Sequence, residues 1–245
     1  MDNLILIKYE VQRLIKSKKY FYMILMLVVT TSDILMRLVI DGFYGTAPFS
    51  KWSYSSFLTI ICPILTIILI LLCTKIFSEK EKRAEELIFS LPITSKKYYF
   101  IKEAAVLIIF IITLLIPITM SFVYYSYIFQ YTEFLNFAEP AVLFIIPGSL
   151  FVFGLSVLIG RKSNKLLYGL IPFVFAAGMI NFTGMPVWID IFGNDYLSEY
   201  GFLFVIESNL SEVPFTMTGS FIYSRIFLSI LGCIMIMLSI REKKS

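Results

Sequence analysis

Charged side chains inside otherwise apolar stretches are the first candidates for chemistry in this sequence. Asp33 and Arg37 lie one helical turn apart in the first apolar stretch, so their charges can neutralise each other on one helix face. Arg225 enters the last apolar stretch from the same side of the membrane and at comparable depth. The three residues can therefore form one polar cluster, which serves either as a structural ion pair or as part of a substrate route.

The motifs of common catalytic sites are absent from the sequence. It contains no histidine, which excludes histidine-based triads and histidine metal sites. The sequence G-x-x-x-x-G-K-[ST] does not occur, because the segment at 160–163 lacks the preceding glycine loop, and HExxH and GxSxG do not occur either. We therefore expect no catalytic, cofactor or metal site in this chain and no ATP hydrolysis by the chain alone.

The segment from Ser78 to Lys102 is a charged island between two apolar runs. Ser78 and Glu81 match a capping box, in which each side chain bonds a backbone N–H near the start of a helix. Pro92 disfavours helical geometry in the residue before it, so the helix should end there. The sequence predicts a short helix with charged flanks and an apolar end.

The composition is that of a membrane protein. Of the 245 residues 58% are hydrophobic and only 16% are charged, and the mean hydropathy is +0.84. The apolar runs do not alternate in polarity as the strands of a β-barrel would. The sequence predicts a single all-α transmembrane domain over 1–245, with six membrane-spanning helices. They are placed at 20–40, 54–77, 104–127, 141–160, 166–182 and 219–240.

The basic residues predict the orientation of these spans. If the N-terminus is cytoplasmic, all of the 21 lysines and arginines except Arg37, Lys51 and Arg225 fall on the cytoplasmic side. The positive-inside rule then predicts that both termini are cytoplasmic and that the loop at 78–98 is cytoplasmic. We expect the chain to be a multi-pass membrane protein.

Two segments outside the spans are also expected to be helical. In residues 1–19, Leu4, Ile7, Val11, Leu14 and Ile15 share one face, which predicts an interfacial helix on the bilayer. The outer segment at 183–218 holds five carboxylates, no basic residue and two short apolar clusters, which predict interfacial or re-entrant helices. Its acidity can mark a vestibule for cationic cargo, but the topology rule alone also removes basic residues from outer loops.

The stretch EKRAEELIFSLPITSKKYYFIKEAAVL, which follows the second predicted span, resembles the cytoplasmic loop of permease subunits in ABC-2 type ATP-binding-cassette transporters. The six spans, the N-terminal helix and the long outer segment agree with that family. The resemblance implies a half-transporter that pairs with a second permease, either a copy of itself or a sister chain, and with separate ATPase subunits that bind ATP and Mg²⁺. It also implies that residues 1–19 form a connecting helix and that an ATPase-coupling helix is formed by Glu81, Glu85, Glu86, Leu87, Leu91 and Pro92.

The function expected from this resemblance is export of a peptide, an antibiotic, a lipid or another amphipathic molecule across a bacterial plasma membrane. A second hypothesis is a non-transporting immunity or assembly factor that docks a cytoplasmic partner through the same loop. A third, a secondary transporter, is disfavoured by the lack of internal repeats and of a buried carboxylate near mid-membrane other than Asp33. The bilayer is an expected partner, and nucleic acid is not.

Overall fold

The fold is that of a computed structural model, which describes residues 3–40, 47–88, 94–182, 184–199 and 216–240. Within these ranges every regular element is a helix, which confirms the predicted all-α class. The elements are α1 (Asn3–Ile15), α2 (Lys18–Ile34) with a π-helical turn (Leu35–Val39), α3 (Lys51–Ile76), α4 (Glu79–Ile88), α5 (Ser95–Phe129), a 3-10 turn (Phe134–Phe137), α6 (Ala138–Lys162), α7 (Asn164–Met179) and α8 (Gly219–Ile240). Residues 194–199 form a further short helix.

Five helices are long and apolar enough to cross a membrane, namely α2 with its π turn, α3, α5, α6 and α8. By the length and composition of its helices, the chain is a multi-pass membrane protein. The helix at the predicted fifth span, α7, is apolar but only 16 residues long. At about 1.5 Å per residue it extends about 24 Å, less than the hydrocarbon core of about 30 Å.

Hydroxyl side chains begin three of the long helices. Ser17, Ser50 and Thr94 each accept a hydrogen bond from the backbone N–H three residues further on, at 3.2 to 3.3 Å. Because Thr94 starts α5 at Ser95, this helix begins well before the predicted span at 104. This start places Lys102 and Glu103 on α5.

The centre of the bundle is α3, which packs against α5, α6 and α7. It is apolar on all sides, as expected of a helix surrounded by other helices, and almost all of its side chains are buried. At one end the ring of Tyr54 stacks on Phe137, with 4.0 Å between the ring centroids. Four helices contain an internal proline, namely Pro63 in α3, Pro117 in α5, Pro147 in α6 and Pro172 in α7.

The backbones of α6 and α8 are in direct contact, and this contact depends on two glycines. A Cβ atom on Gly154 would lie 2.6 Å from the carbonyl oxygen of Gly232, and one on Gly232 would lie 2.5 Å from the backbone of Leu150. Small residues permit this backbone contact between membrane helices. Neither a valine nor an alanine fits at these positions without separating the two helices.

The N-terminal helix α1 packs along α5. Its predicted apolar face is divided between two environments, because Leu14 is fully buried whereas Leu4 is 80% exposed. Leu14, near the C-terminal end of α1, therefore belongs to the protein core. The N-terminal half keeps the exposed apolar side chains that an interfacial helix presents to a bilayer.

Candidate functional site

Four charged side chains from three helices meet at one end of the bundle, and we call Glu10, Arg13, Glu81 and Lys102 the charge cluster. The ammonium Nζ of Lys102 lies 2.9 Å from Oε1 of Glu10 and 2.5 Å from Oε2 of Glu81. The guanidinium of Arg13 lies 2.5 Å from Oε1 of Glu10 and also donates to Oε1 of Glu81. Each cation therefore contacts both carboxylates, and the four charges form a closed ring.

The local structure of three helices positions these side chains. Glu10 and Arg13 are three residues apart and share one face of α1. Glu81 lies in the first turn of α4, where the helix dipole favours a carboxylate. Lys102 reaches both because α5 begins at Ser95 and passes alongside α1.

Three members of the charge cluster are largely withdrawn from solvent, since the exposed fraction of the side chains is 9% for Lys102, 11% for Glu10 and 13% for Glu81, whereas that of Arg13 is 42%. Burial alone would lower the pKa of Arg13, but its hydrogen bonds and ion pairs with Glu81 and Glu10 outweigh burial and raise the pKa. Burial alone would raise the pKa of Glu81, but the hydrogen bonds and charges of Arg13 and Lys102 outweigh burial and lower the pKa. Arg13 and Glu81 are therefore both held in their charged forms.

Such a ring binds helices to one another rather than performing chemistry. Removing one partner from a buried ion pair leaves an uncompensated charge and costs about 3 to 5 kcal/mol. Lys75 of α3 adds a further contact by donating to the carbonyl oxygen of Leu14 at 3.5 Å. The arrangement links α4 to α1 and α5 beside the end of α3.

The predicted coupling residues occupy different positions relative to this ring. Glu81 belongs to this ring. Its carboxylate accepts hydrogen bonds from Arg13 and Lys102, which take the place of the predicted capping-box hydrogen bond from the backbone N–H of Ser78. Glu85, Glu86 and Leu87 lie on the helical backbone of α4, as predicted, with side chains outside what the structure describes. Leu91 and Pro92 fall outside the described residues.

The predicted polar cluster of Asp33, Arg37 and Arg225 is not present as one group among the described residues. Asp33 and Arg37 do form the expected ion pair, with 2.6 Å between Oδ1 and Nε, and both side chains are more than half exposed. Arg225 instead is 1% exposed and lies in a separate part of the bundle, in α8 against α6. The prediction was wrong on this point because Arg225 turns inward to backbone carbonyls rather than toward α2.

Backbone carbonyls of the segment 184–199 hold Arg225. Its guanidinium donates to Ile191 O at 2.8 Å and to Asp190 O, and it lies 4.5 Å from the centroid of the Phe221 ring. The carboxylate of Asp190 in turn accepts from the backbone N–H of Gly193 at 2.7 Å and of Tyr196 at 2.9 Å. Arg225 thus anchors the described part of the outer segment to α8.

Two more acidic residues of this segment also bind backbone groups. Asp195 accepts from the N–H of Phe182 at 2.6 Å, and Glu199 accepts from the N–H of Gly184 at 2.7 Å. These carboxylates are therefore used to fold the chain after α7. The acidic residues described in this segment therefore have a structural role, which the sequence did not indicate.

The sequence did not identify Glu103 as a buried residue that contacts another helix. Glu103 is 2% exposed, and its Oε1 accepts a hydrogen bond at 3.0 Å from the hydroxyl of Ser239 in α8. No donor within the described ranges reaches its Oε2. The adjacent opposite charges of Lys102 and Glu103 were a signal for this contact. Adjacent residues of one helix point in different directions, so the two side chains reach different partners.

Groups of histidine, cysteine and acidic residues suited to a metal ion are absent from the described part of the chain. Comparisons of the chain with family models, with curated proteins and with solved structures find no match.

Proposed function

We propose that the chain is the permease subunit of an ATP-driven exporter of the ABC-2 type, with ATP and Mg²⁺ bound by a separate ATPase subunit. The observation that supports this proposal best is the charge cluster. It joins α4, the helix that resembles a coupling helix, to both α1 and α5. The cargo is a peptide, an antibiotic, a lipid or another amphipathic molecule.

A lever between an ATPase and a membrane domain must be connected rigidly to the helices that it moves. Here a displacement of α4 is passed to α5 through Glu81 and Lys102, and to α1 through Glu81 and Arg13. In this proposal Glu81 fixes α4 to the bundle. Contact with the ATPase then falls to Glu85, Glu86, Leu87, Leu91 and Pro92.

The proposal places α1, α4 and both termini in the cytoplasm of a bacterial cell, as the basic residues predict. It requires α7 to be the sixth crossing of the plasma membrane. A helix shorter than the hydrocarbon core can cross where the bilayer thins locally. A second permease, identical or related, completes the transport route.

Co-purification with the ATPase encoded by an adjacent reading frame tests the proposal. The complex should survive in detergent and should hydrolyse ATP faster than the isolated ATPase. Leu87→Asp combined with Leu91→Asp should release the ATPase while the permease still inserts in the membrane. Glu81→Gln should retain the ATPase but lose the stimulation, because the lever is detached from α5.

The matched control is Glu79→Gln, two residues away on the same helix, where the carboxylate is 78% exposed and contacts only Lys82 among the described residues. Its ATPase retention and stimulation should equal those of the wild type. An ATPase that never binds the chain would contradict the proposal and favour the immunity or assembly factor. Binding without any stimulation in the wild type would contradict the lever.

A further inference from the structure

A small polar cavity lies near the N-terminal end of α3, far along this helix from α4. Helix α3, the C-terminal end of α7 and the short helix at 194–199 surround it, and its volume is about 240 Å³. Its lining includes Ser56 and Thr59 of α3, and Asn194 and Ser198 of the short helix. Sites for drug-sized ligands usually have volumes of about 300 to 1,000 Å³. The cavity therefore suits a smaller molecule.

The hydroxyl groups of this lining use their protons in hydrogen bonds to the backbone. Ser56 Oγ donates to Trp52 O at 3.2 Å, Thr59 Oγ1 donates to Ser56 O at 2.9 Å, and Ser198 Oγ donates to Asn194 O at 2.8 Å. A hydroxyl group has one donor and two acceptor lone pairs. Each of these oxygens can therefore only accept a further hydrogen bond.

The side-chain amide of Asn194, which is 7% exposed, also uses its donors within the protein. Its nitrogen lies 3.0 Å from Oδ1 of Asn181 and 3.5 Å from the carbonyl oxygen of Ile180. With the amide rotated by half a turn, the nitrogen lies 3.2 Å from the carbonyl oxygen of Ala177 and from Oδ1 of Asp190. In both orientations the donors of this buried side chain are occupied, so it offers none to a molecule in the cavity.

The electrostatic environment of the cavity favours a cation. None of the described residues that line it is basic, and the guanidinium of Arg225 is held by backbone carbonyl groups. In the short helix, Asp195 is 3% exposed, and its Oδ2 has no donor among the described residues. Burial raises the pKa of Asp195; the N–H of Phe182 lowers it, and the charges of Asp190 and Glu199 raise it further. The carboxylates thus add negative charge at this end of the bundle.

We propose that this cavity binds a small organic cation through a primary ammonium group. Such a group carries three N–H donors and no acceptor, which complements hydroxyl oxygens that can only accept. The oxygens of Ser56, Thr59 and Ser198 accept these hydrogen bonds. An anion would bring further acceptors to buried polar groups that have no donor left, and a neutral molecule would form the weaker, uncharged type of hydrogen bond.

Equilibrium dialysis of the purified chain in detergent can measure this preference, with radiolabelled ethanolamine as the probe. At neutral pH ethanolamine carries a primary ammonium group. Choline carries the same charge without any N–H donor, and ethylene glycol has nearly the size of ethanolamine without its charge. The wild type should bind one ethanolamine about tenfold more tightly than either of the other two, because only ethanolamine forms charged N–H hydrogen bonds.

Thr59→Val removes one lining hydroxyl in a side chain of nearly the same size, and it should weaken ethanolamine binding about tenfold. Thr66→Val is its matched control, because Thr66 is also buried on α3 and donates to the backbone but does not line the cavity. Thr59→Ser keeps the hydroxyl and should keep the affinity. Melting temperatures in the same detergent show whether each variant remains folded. Thr59→Val that melts and binds ethanolamine like the wild type would overturn the proposal.

Ser198→Ala repeats this test at a partly exposed position if Thr59→Val does not fold, and it should also weaken ethanolamine binding. A cavity that holds only water is the competing interpretation. A wild type that binds no ethanolamine beyond a blank of detergent alone would overturn the proposal, and so would one that binds choline or ethylene glycol equally well. The inference concerns binding alone and requires no ATPase, so it can fail while the proposed function stands.

Discussion

The two ends of the bundle use buried charges in different ways. In the charge cluster, side chains from α1, α4 and α5 bind one another, and every contact joins two helices or two turns of α1. At the opposite end, Arg225 binds carbonyl oxygens, and Asp190 binds backbone N–H groups. The charge cluster links helices through side-chain partners, which substitutions can change, and Arg225 and Asp190 fix the path of a loop through backbone partners.

This difference has consequences for both stability and motion. A charge that binds another side chain can be neutralised together with its partner, so its loss can be compensated. A charge that binds the backbone has no partner that a second substitution can remove, because every residue keeps its carbonyl group. The charge cluster fits the moving connection of the proposed lever, in which α1, α4 and α5 shift together as one rigid unit, and the Arg225 anchor fits a static part of the bundle.

The largest effect should come from removing the anchor. Arg225→Met leaves the buried carbonyl groups of Asp190 and Ile191 without a donor, and each unsatisfied buried group costs about 1 to 3 kcal/mol. We expect a loss of about 3 kcal/mol in unfolding free energy, measured by chemical denaturation in detergent. Arg37→Met is the control, since Arg37 is exposed and should lose less than about 1 kcal/mol. Equal losses would remove the distinction between the two arginines.

A smaller effect is expected in the charge cluster. Lys102→Met leaves Glu10 and Glu81 facing only Arg13, which is itself 42% exposed and can turn toward solvent. We expect a loss of about 2 kcal/mol, below the range for fully buried pairs. Lys96→Met, one and a half turns earlier at an exposed position of α5, should leave stability unchanged.

A double variant tests whether the loss of one charge in the cluster can be compensated by removing its partner. Adding Glu81→Gln to Lys102→Met removes the carboxylate that had lost its cation, while Glu10 keeps Arg13. The double variant should be more stable than the sum of the single losses by about 1 kcal/mol. Strict additivity would mean that the two residues do not act as a pair.

The pH dependence of stability should separate the cluster from the anchor. The pKa of Glu81 is lowered in the folded chain, so its contribution is complete above the unfolded value of 4.5 and is lost as pH falls through the folded pKa. The difference in melting temperature between the wild type and Glu81→Gln should be constant from pH 8 to about 5 and shrink in stronger acid. Arg225→Met should show a difference from the wild type that persists over this range. A Glu81→Gln difference that stays constant in strong acid would contradict the assignment.

The sequence was sufficient to predict the helices but not the contacts between side chains of different helices. Apolar runs without alternating polarity predicted the all-α class, because this pattern depends on local residue type. The ring of Glu10, Arg13, Glu81 and Lys102 depends on how α1 lies along α5, which no local pattern specifies. Arg225 was misassigned for the same reason, since its carbonyl partners come from a loop that has no recognisable signal in the sequence.

The smallest effect is expected at Glu103, which tests whether every buried charge near α4 belongs to the moving connection. Glu103 contacts Ser239 of α8 and no member of the ring among the described residues, and its Oε2 has no donor there. Glu103→Gln keeps the acceptor for the Ser239 hydroxyl in a side chain of nearly the same size, so unfolding free energy should change by less than about 0.5 kcal/mol. Ser239→Ala is the companion variant and should cost about 1 kcal/mol, because it removes the donor to Oε1. A Glu103→Gln loss as large as that of Lys102→Met would place Glu103 among the charges that hold the helices together, and the connection at this end would then include α8.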